Sequence, residues 1–242
     1  MTSMPMQQYR PWRFLVLLLT LVLLLVIQPM VRGFAVRGAV FDVLHSLVLV
    51  AAILSLCERR LPRMAALLLG VPALVGRWLA YMLASNGEDV LTLTDHFVEI
   101  LFLGFVAVMI LRVILTHPSI STDSIFGAVC AYLLLGMAWG TFYSVIEVLK
   151  PGSFVASGEL ADALRSAETR GPVLVYYSFV TLTTVGYGDI TPVAPSARTL
   201  SWLEAMMGQF YIAVLVASLV GIRLSQRPSN SGNPPGNDCP CP

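Results

Sequence analysis

Charge is what this chain has least of. Only 12% of its 242 residues are Asp, Glu, Lys or Arg, against 57% that are hydrophobic. A soluble domain of this length carries about twice that charged share. The 15 basic and 14 acidic residues nearly cancel, leaving net +1, so no basic excess points to a nucleic-acid partner. Cysteine is scarce as well. Cys57 and Cys130 lie inside apolar runs, Cys239 and Cys241 sit in a Pro-rich tail, and no second pair completes a metal site or a disulfide framework. No glycine-rich nucleotide loop, metal-ligand cluster or nucleophile constellation occurs, so neither an enzyme nor a cofactor is expected. The apolar residues come in long blocks, with a mean hydropathy of +0.78, which points to lipid as the solvent.

A bilayer core needs about 20 apolar residues in helix. Six segments meet that need: roughly 12–31, 39–57, 62–83, 90–115, 124–149 and 199–224. The first follows Arg10 and Arg13 as the apolar part of a signal peptide would. No clear small-x-small cleavage site follows its end near Gln28-Pro29, so it reads as a retained helix. Pro11 suits a helix start, and Pro72 is expected to kink the third helix without ending it. Residues 1–115 thus read as a four-helix bundle, 116–123 as a polar linker and 124–226 as a second unit. The tail, 227–242, is rich in Pro, Gly, Asn and Ser and reads as disordered.

Between the fifth and sixth segments the pattern breaks. Residues 150–171 are polar and long for a loop. PVLVYYSFVTLTT, 172–184, is apolar but spans only about 20 Å as helix, too short to cross. Pro172 fits a first helical turn, so a short helix is expected over 172–183. A helix that enters without crossing and gives way to irregular backbone is a re-entrant loop. Membrane-depth backbone of that kind is tolerated only when buried in protein or lining water.

That irregular backbone is Thr184-Val185-Gly186-Tyr187-Gly188. For consecutive carbonyls to point the same way, successive residues must alternate in handedness. Gly186 and Gly188 can take positive φ at little cost, while Val185 and Tyr187 keep ordinary φ and turn their side chains outward. One row of carbonyls leaves most of an ion's coordination sphere open. Four copies around an axis would close it into rings of oxygens.

TTVGYGD matches the signature of the potassium channel family, and the ITP that follows occurs in many members. GAVCAYLLLGMAWGTFY followed by PGSF resembles the outer pore helix and turret of bacterial six-helix members. EAMMGQFYIAVLVASLVG, 204–221, resembles their inner pore helix. The likeness runs from Ser124 to Leu224; the first 115 residues share only the number of helices. It implies an all-α membrane protein with six transmembrane helices, a re-entrant pore helix at 172–183, a filter at 184–188 and an inner helix at 199–224. The subunits would assemble as a homotetramer in the cell membrane, with both termini cytoplasmic, and pass K+ passively. Its partners would be K+, lipid and the other copies, with no cofactor beyond the ions in the filter.

The resemblance also implies individual roles. Thr184 would supply a hydroxyl and a carbonyl at the inner mouth, and Val185, Gly186 and Tyr187 carbonyls above it, so that these four hold K+. Gly188 would shape the outer mouth. Thr183, Tyr176, Tyr177 and Asp189 would support the filter, the Tyr187 ring standing behind it among Tyr176 and Tyr177 of neighbouring copies, where many relatives carry two tryptophans. Asp189 would raise the cation concentration at the outer mouth. Val180 stands where some bacterial relatives carry a Glu coupled to that Asp, so Asp189 needs another partner. Gly208 matches the family's gating hinge, or is a small residue that lets helices approach closely.

Arg112 is the single arginine of the fourth segment, where a voltage sensor uses about 3–4 gating charges per subunit. Weak or absent voltage dependence follows. Basic residues are only slightly more numerous on the side placed in the cytoplasm. An intramembrane charge wants a partner, so Arg77 is expected to pair with Glu99, with His45, Asp42 or His96 nearby. The pair either holds the front bundle together or senses pH or a ligand. Glu204 is placed to brace the pore helix from behind. After Leu224 about 18 residues remain, too few for a ligand-binding domain, so the gating stimulus is expected to come from the bundle, lipid, pH, the filter or a partner. An active potassium-uptake subunit would carry four degenerate loops in one chain, and a non-selective pore would replace Tyr187 or lose a glycine.

Overall fold

A computed structural model of the chain describes residues 13–30, 37–55, 60–82, 90–116 and 122–225. Pro11, Cys57, His117 and the tail with Cys239 and Cys241 lie outside the described residues, as does the side chain of Asp42. The helices are α1 (Arg13–Met30), α2 (Arg37–Ser55), α3 (Arg60–Met82), α4 (Val90–Thr116) and α5 (Thr122–Leu149). After them come the strand β1 (Phe154–Ala156), α6 (Glu159–Arg165), α7 (Ala167–Leu182), β2 (Ile190–Pro192) and α8 (Pro195–Ser225). Among the described residues three helical stretches are long and apolar enough to cross a bilayer: Thr92–Thr116, Thr122–Leu149 and Pro195–Ser218. Phe14–Ile27, Val43–Ser55 and Met64–Leu79 are apolar but shorter. Helix α3 runs through Pro72.

Helix α1 buries Phe14, Leu17, Leu21 and Leu24, three and four residues apart, which is one face of a helix. Its uncovered residues, Val16, Leu19, Val22, Leu23 and Val26, are as apolar as the buried ones. A surface of that kind suits lipid and not water. On α4 the buried stripe is Phe102, Leu103, Val106 and Ile110. Helix α5 is the pivot of the fold, packing on α1 and α4 on one side and on α7 and α8 on the other. It reaches α7 closely because two of its residues lack side chains. A Cβ on Gly136 would stand 2.5 Å from the Phe179 ring, and one on Gly140 2.6 Å from the Val175 backbone.

Most helix ends fall within two residues of those read in the sequence, and three features differ by more. Helix α7 begins at Ala167, five residues before Pro172, which lies in its second turn. The missing Pro172 amide forfeits one hydrogen bond at most, and polar side chains of the early turns tie the helix to what precedes it. Arg170 Nε and Nη2 donate to the Leu164 and Arg165 carbonyls at 3.3 and 3.4 Å, and Thr169 donates to the Ala163 carbonyl. Helix α8 begins at Pro195 rather than at 199, because Pro195 fits a first helical turn although it stands outside the apolar run. The 150–171 segment is not a plain loop. It holds β1, which pairs antiparallel with β2 in the register Phe154–Pro192, Val155–Thr191 and Ala156–Ile190, and then α6.

Candidate functional site

The site begins where α7 runs out. A helix leaves its last four carbonyls without intrahelical partners, and here all four are used. Thr183 N–H and Oγ1 donate to Phe179 O at 3.1 and 2.6 Å, and Val185 and Gly186 N–H share Val180 O at 3.0 and 3.3 Å. Thr184 N–H donates to Thr181 O at 2.9 Å, and the Tyr132 hydroxyl of α5 reaches Leu182 O at 3.2 Å. The chain therefore enters 184–188 from a tied end.

Within that segment the backbone alternates. Thr184, Gly186 and Gly188 have φ of 59°, 58° and 77°, while Val185 and Tyr187 keep negative φ. Positive φ was anticipated at the two glycines but not at Thr184, where a side chain makes the left-handed region cost roughly 1–2 kcal/mol. Gln209 Nε2 of α8 lies 3.3 Å from the Thr184 hydroxyl. Every residue from Thr183 to Gly188 is exposed in the single chain, Val185 at 53% and Tyr187 at 71%.

At the far end Asp189 is held twice. Tyr176 donates its hydroxyl to Oδ2 at 2.6 Å, and the Ile190 amide reaches Oδ1 at 3.0 Å. Tyr176 thus provides the partner that Val180 cannot. Tyr177 takes a different direction from Tyr176. Neighbouring residues on a helix point about 100° apart, so the two tyrosines face different ways. Tyr177 is buried in its own chain, edge-on to Tyr143 and Phe154 at ring-centroid distances of 5.3 and 5.2 Å, with its hydroxyl 2.6 Å from Ser201 Oγ.

Gly208 is a point of close approach. A Cβ there would overlap Leu182 O, two residues before the 184–188 segment. Glu204, one helical turn earlier on α8, is fully buried against Tyr143 and Ser178. A residue the sequence reading passed over, Glu147 on α5, accepts the Gly152 and Phe154 amides at 2.7 and 3.1 Å. Ser153 O in turn accepts the Val193 and Ala194 amides at 2.9 and 3.2 Å, so the backbone that leaves the filter is tied through β1 to α5. The Pro-Gly pair at 151–152 marked a turn, but nothing local in the sequence pointed to Glu147 as the acceptor of the amides that follow it.

In the front bundle Arg77 Nη1 of α3 lies 3.5 Å from Glu99 Oε2, and His45 Nε2 of α2 lies 2.8 Å from Glu99 Oε1. His96 Nδ1 is 2.6 Å from Thr92 O, and Asp95 Oδ1 would lie 2.8 Å from a Cβ on Gly76. A cavity of about 60 Å³ joins His45, Arg77, His96 and Glu99 to Thr141 and Ser144 of α5 and to Gly171 and Val175 of α7. Arg112 is exposed.

Two long apolar helices, α5 and α8, bracket a short helix and an exposed loop of alternating handedness, in a molecule whose outer surface suits lipid. That combination defines a helical membrane channel. The chain belongs to the ion channel family: residues 128–224 match the family model described as "Ion channel", and protein LctB of Bacillus caldotenax is 32% identical over 128 residues, 49% of this chain and 92% of that protein. Its relatives indicate a channel rather than an enzyme. Potassium channels are among its relatives. Two pore potassium channel c of Oryza sativa subsp. japonica is 35% identical over 94 residues, 37% of this chain. Inward rectifier potassium channel Kirbac3.1 of Paramagnetospirillum magnetotacticum is 31% identical over 134 residues, 55% of this chain. The chain spans 17% and 35% of the lengths of those two proteins. No solved structure matches it significantly.

Proposed function

We infer that the protein is a potassium-selective channel that conducts K+ passively, as a homotetramer with six membrane helices per subunit, in the cell membrane. The observation that carries this reading is the φ alternation at Thr184, Gly186 and Gly188, at the end of a helix whose carbonyls are all engaged. Alternation turns successive carbonyls to one side, and four such rows would replace the hydration shell of K+ through Thr184, Val185, Gly186 and Tyr187. Asp189 adds a carboxylate beyond Gly188. The exposure of 183–188 and of the α8 residues Met206, Met207, Phe210, Val214 and Val216 supports assembly, because a lone subunit would leave the filter and much of this helix uncovered.

Voltage dependence is weak in this reading, because Arg112 is the one arginine of α4. Purified protein in liposomes tests conduction through rubidium uptake against a K+ gradient. The reading predicts uptake that sodium does not support and that Gly186→Ala abolishes. Liposomes that stay impermeable to rubidium at every pH and voltage tried would contradict it.

A further inference from the structure

Behind the filter, five oxygens of three helices form a buried chain. Tyr143 Oη of α5 is 2.6 Å from Glu204 Oε2 of α8, Glu204 Oε1 is 2.5 Å from Ser178 Oγ of α7, and Ser178 Oγ is 2.7 Å from the Gly136 carbonyl of α5. Three oxygen–oxygen contacts this short each need a proton between them, since oxygens at such a distance repel without one. A carbonyl has no proton to give, and a serine or tyrosine hydroxyl has one each. Tyr143 supplies the first contact. Ser178 can supply only one of the other two, and its contact with Gly136 can come from nowhere else. A third proton carried by Glu204, donated from Oε1 to Ser178 Oγ, gives every contact its own proton without asking the one Ser178 proton to be shared.

The surroundings agree with this count. Glu204 is 0% exposed, and among the described residues no Lys, Arg or His lies within ion-pair distance of it. The titratable groups facing it are tyrosines: Tyr143 and Tyr132 from α5 and Tyr177 from α7. A bare carboxylate there would have no cation to offset its burial.

We propose that Glu204 is held as a neutral carboxylic acid that locks α5, α7 and α8 together behind the filter, making it a positioning residue for ion selection. This deepens the channel reading and rests on it. The lock is well placed for that role. Ser178 lies one turn before Leu182, whose carbonyl precedes the filter by two residues, and Gly208, one turn after Glu204, packs against that same carbonyl. A shift of α8 relative to α7 at Glu204 would move the start of the filter.

The neutral acid and a charged carboxylate respond oppositely to substitution. Gln reproduces the donor and the acceptor of a neutral acid, whereas Ala removes both. The full chain is compared as parent, Glu204→Gln and Glu204→Ala for rubidium-over-sodium uptake in liposomes. In parallel, infrared spectra of the parent and Glu204→Gln follow the C=O stretch of a protonated carboxyl at neutral pH. The expected result is a protonated-carboxyl band in the parent that Gln removes, a fall in selectivity of about tenfold in the Ala variant, and its recovery with Gln. Absence of the band overturns the proposal, as does loss of selectivity in Gln equal to that in Ala. The infrared band is read without any ion flux, so a parent that conducts nothing would sink the channel reading and still leave the protonation of Glu204 decided.

Discussion

Thr184 shows how much a single residue is asked to do. It adopts positive φ, a conformation its side chain disfavours, while its amide and hydroxyl are engaged by Thr181 O and Gln209. Strain of that kind persists only where neighbouring groups fix it, and such groups cluster at functional sites. Gly208 carries a complementary constraint. Its hinge reading supposes freedom of the backbone, whereas Leu182 O lies so close that position 208 has no room for a Cβ. Gly208→Ala is therefore expected to destabilise the packing of α8 on α7 by about 1–3 kcal/mol. Thermal unfolding of the detergent-solubilised protein should show a lowered midpoint, and rubidium uptake should fall with it. A variant with unchanged stability and altered opening alone would favour the hinge instead. Tyr176→Phe removes the hydroxyl on Asp189 Oδ2, a bond to a charged group worth about 1.5–3 kcal/mol. Sustained recordings should show K+ current that decays sooner than in the parent; an unchanged time course would deny Tyr176 a part in holding the outer mouth.

At the scale of elements, legibility followed the range of the contacts. The positive φ of Gly186 and Gly188 could be read because its signal is local: two glycines, spaced by one residue, in an apolar chain. The positive φ of Thr184 was not legible, since nothing in a threonine asks for it; its amide is tied to Thr181 O and its hydroxyl to Gln209 of α8. The start of α7 was missed because Pro172 marks a first turn in most helices, yet Arg170 and Thr169 give the earlier residues something to hold. Strands of three residues, separated by 33 positions between Ala156 and Ile190, have no period long enough to recognise. The Arg77–Glu99 contact was legible from comparable depth on two helices, while the closer approach of His45 depended on how α2 packs. Glu99→Ala removes a buried carboxylate shared by two side chains, a change that costs about 3–5 kcal/mol for a broken buried pair. Denaturation should show a loss of that order in the front bundle. Stability equal to the parent's would mean that the pair is not what joins α2, α3 and α4.

For the whole molecule, the proposed channel would separate ion choice from gating. The proposed conduction site would stand within residues 122–225, and the front bundle reaches that region through α5 and the small cavity beside Gly171 and Val175. Because α4 holds one arginine, membrane voltage has little to act on: a full traverse would move one charge, about 2.3 kcal/mol per 100 mV, where a sensor uses 3–4 per subunit. Conductance against voltage should be shallow, and a steep curve equivalent to several charges per subunit would refute that part of the account. The most direct measurement of the central claim is the reversal potential of purified protein in a planar bilayer, with K+ on one side and Na+ on the other. The account predicts a reversal that follows the K+ equilibrium potential as the K+ concentration is changed. A reversal that ignores the K+ gradient, or that treats Na+ and K+ alike, would contradict it.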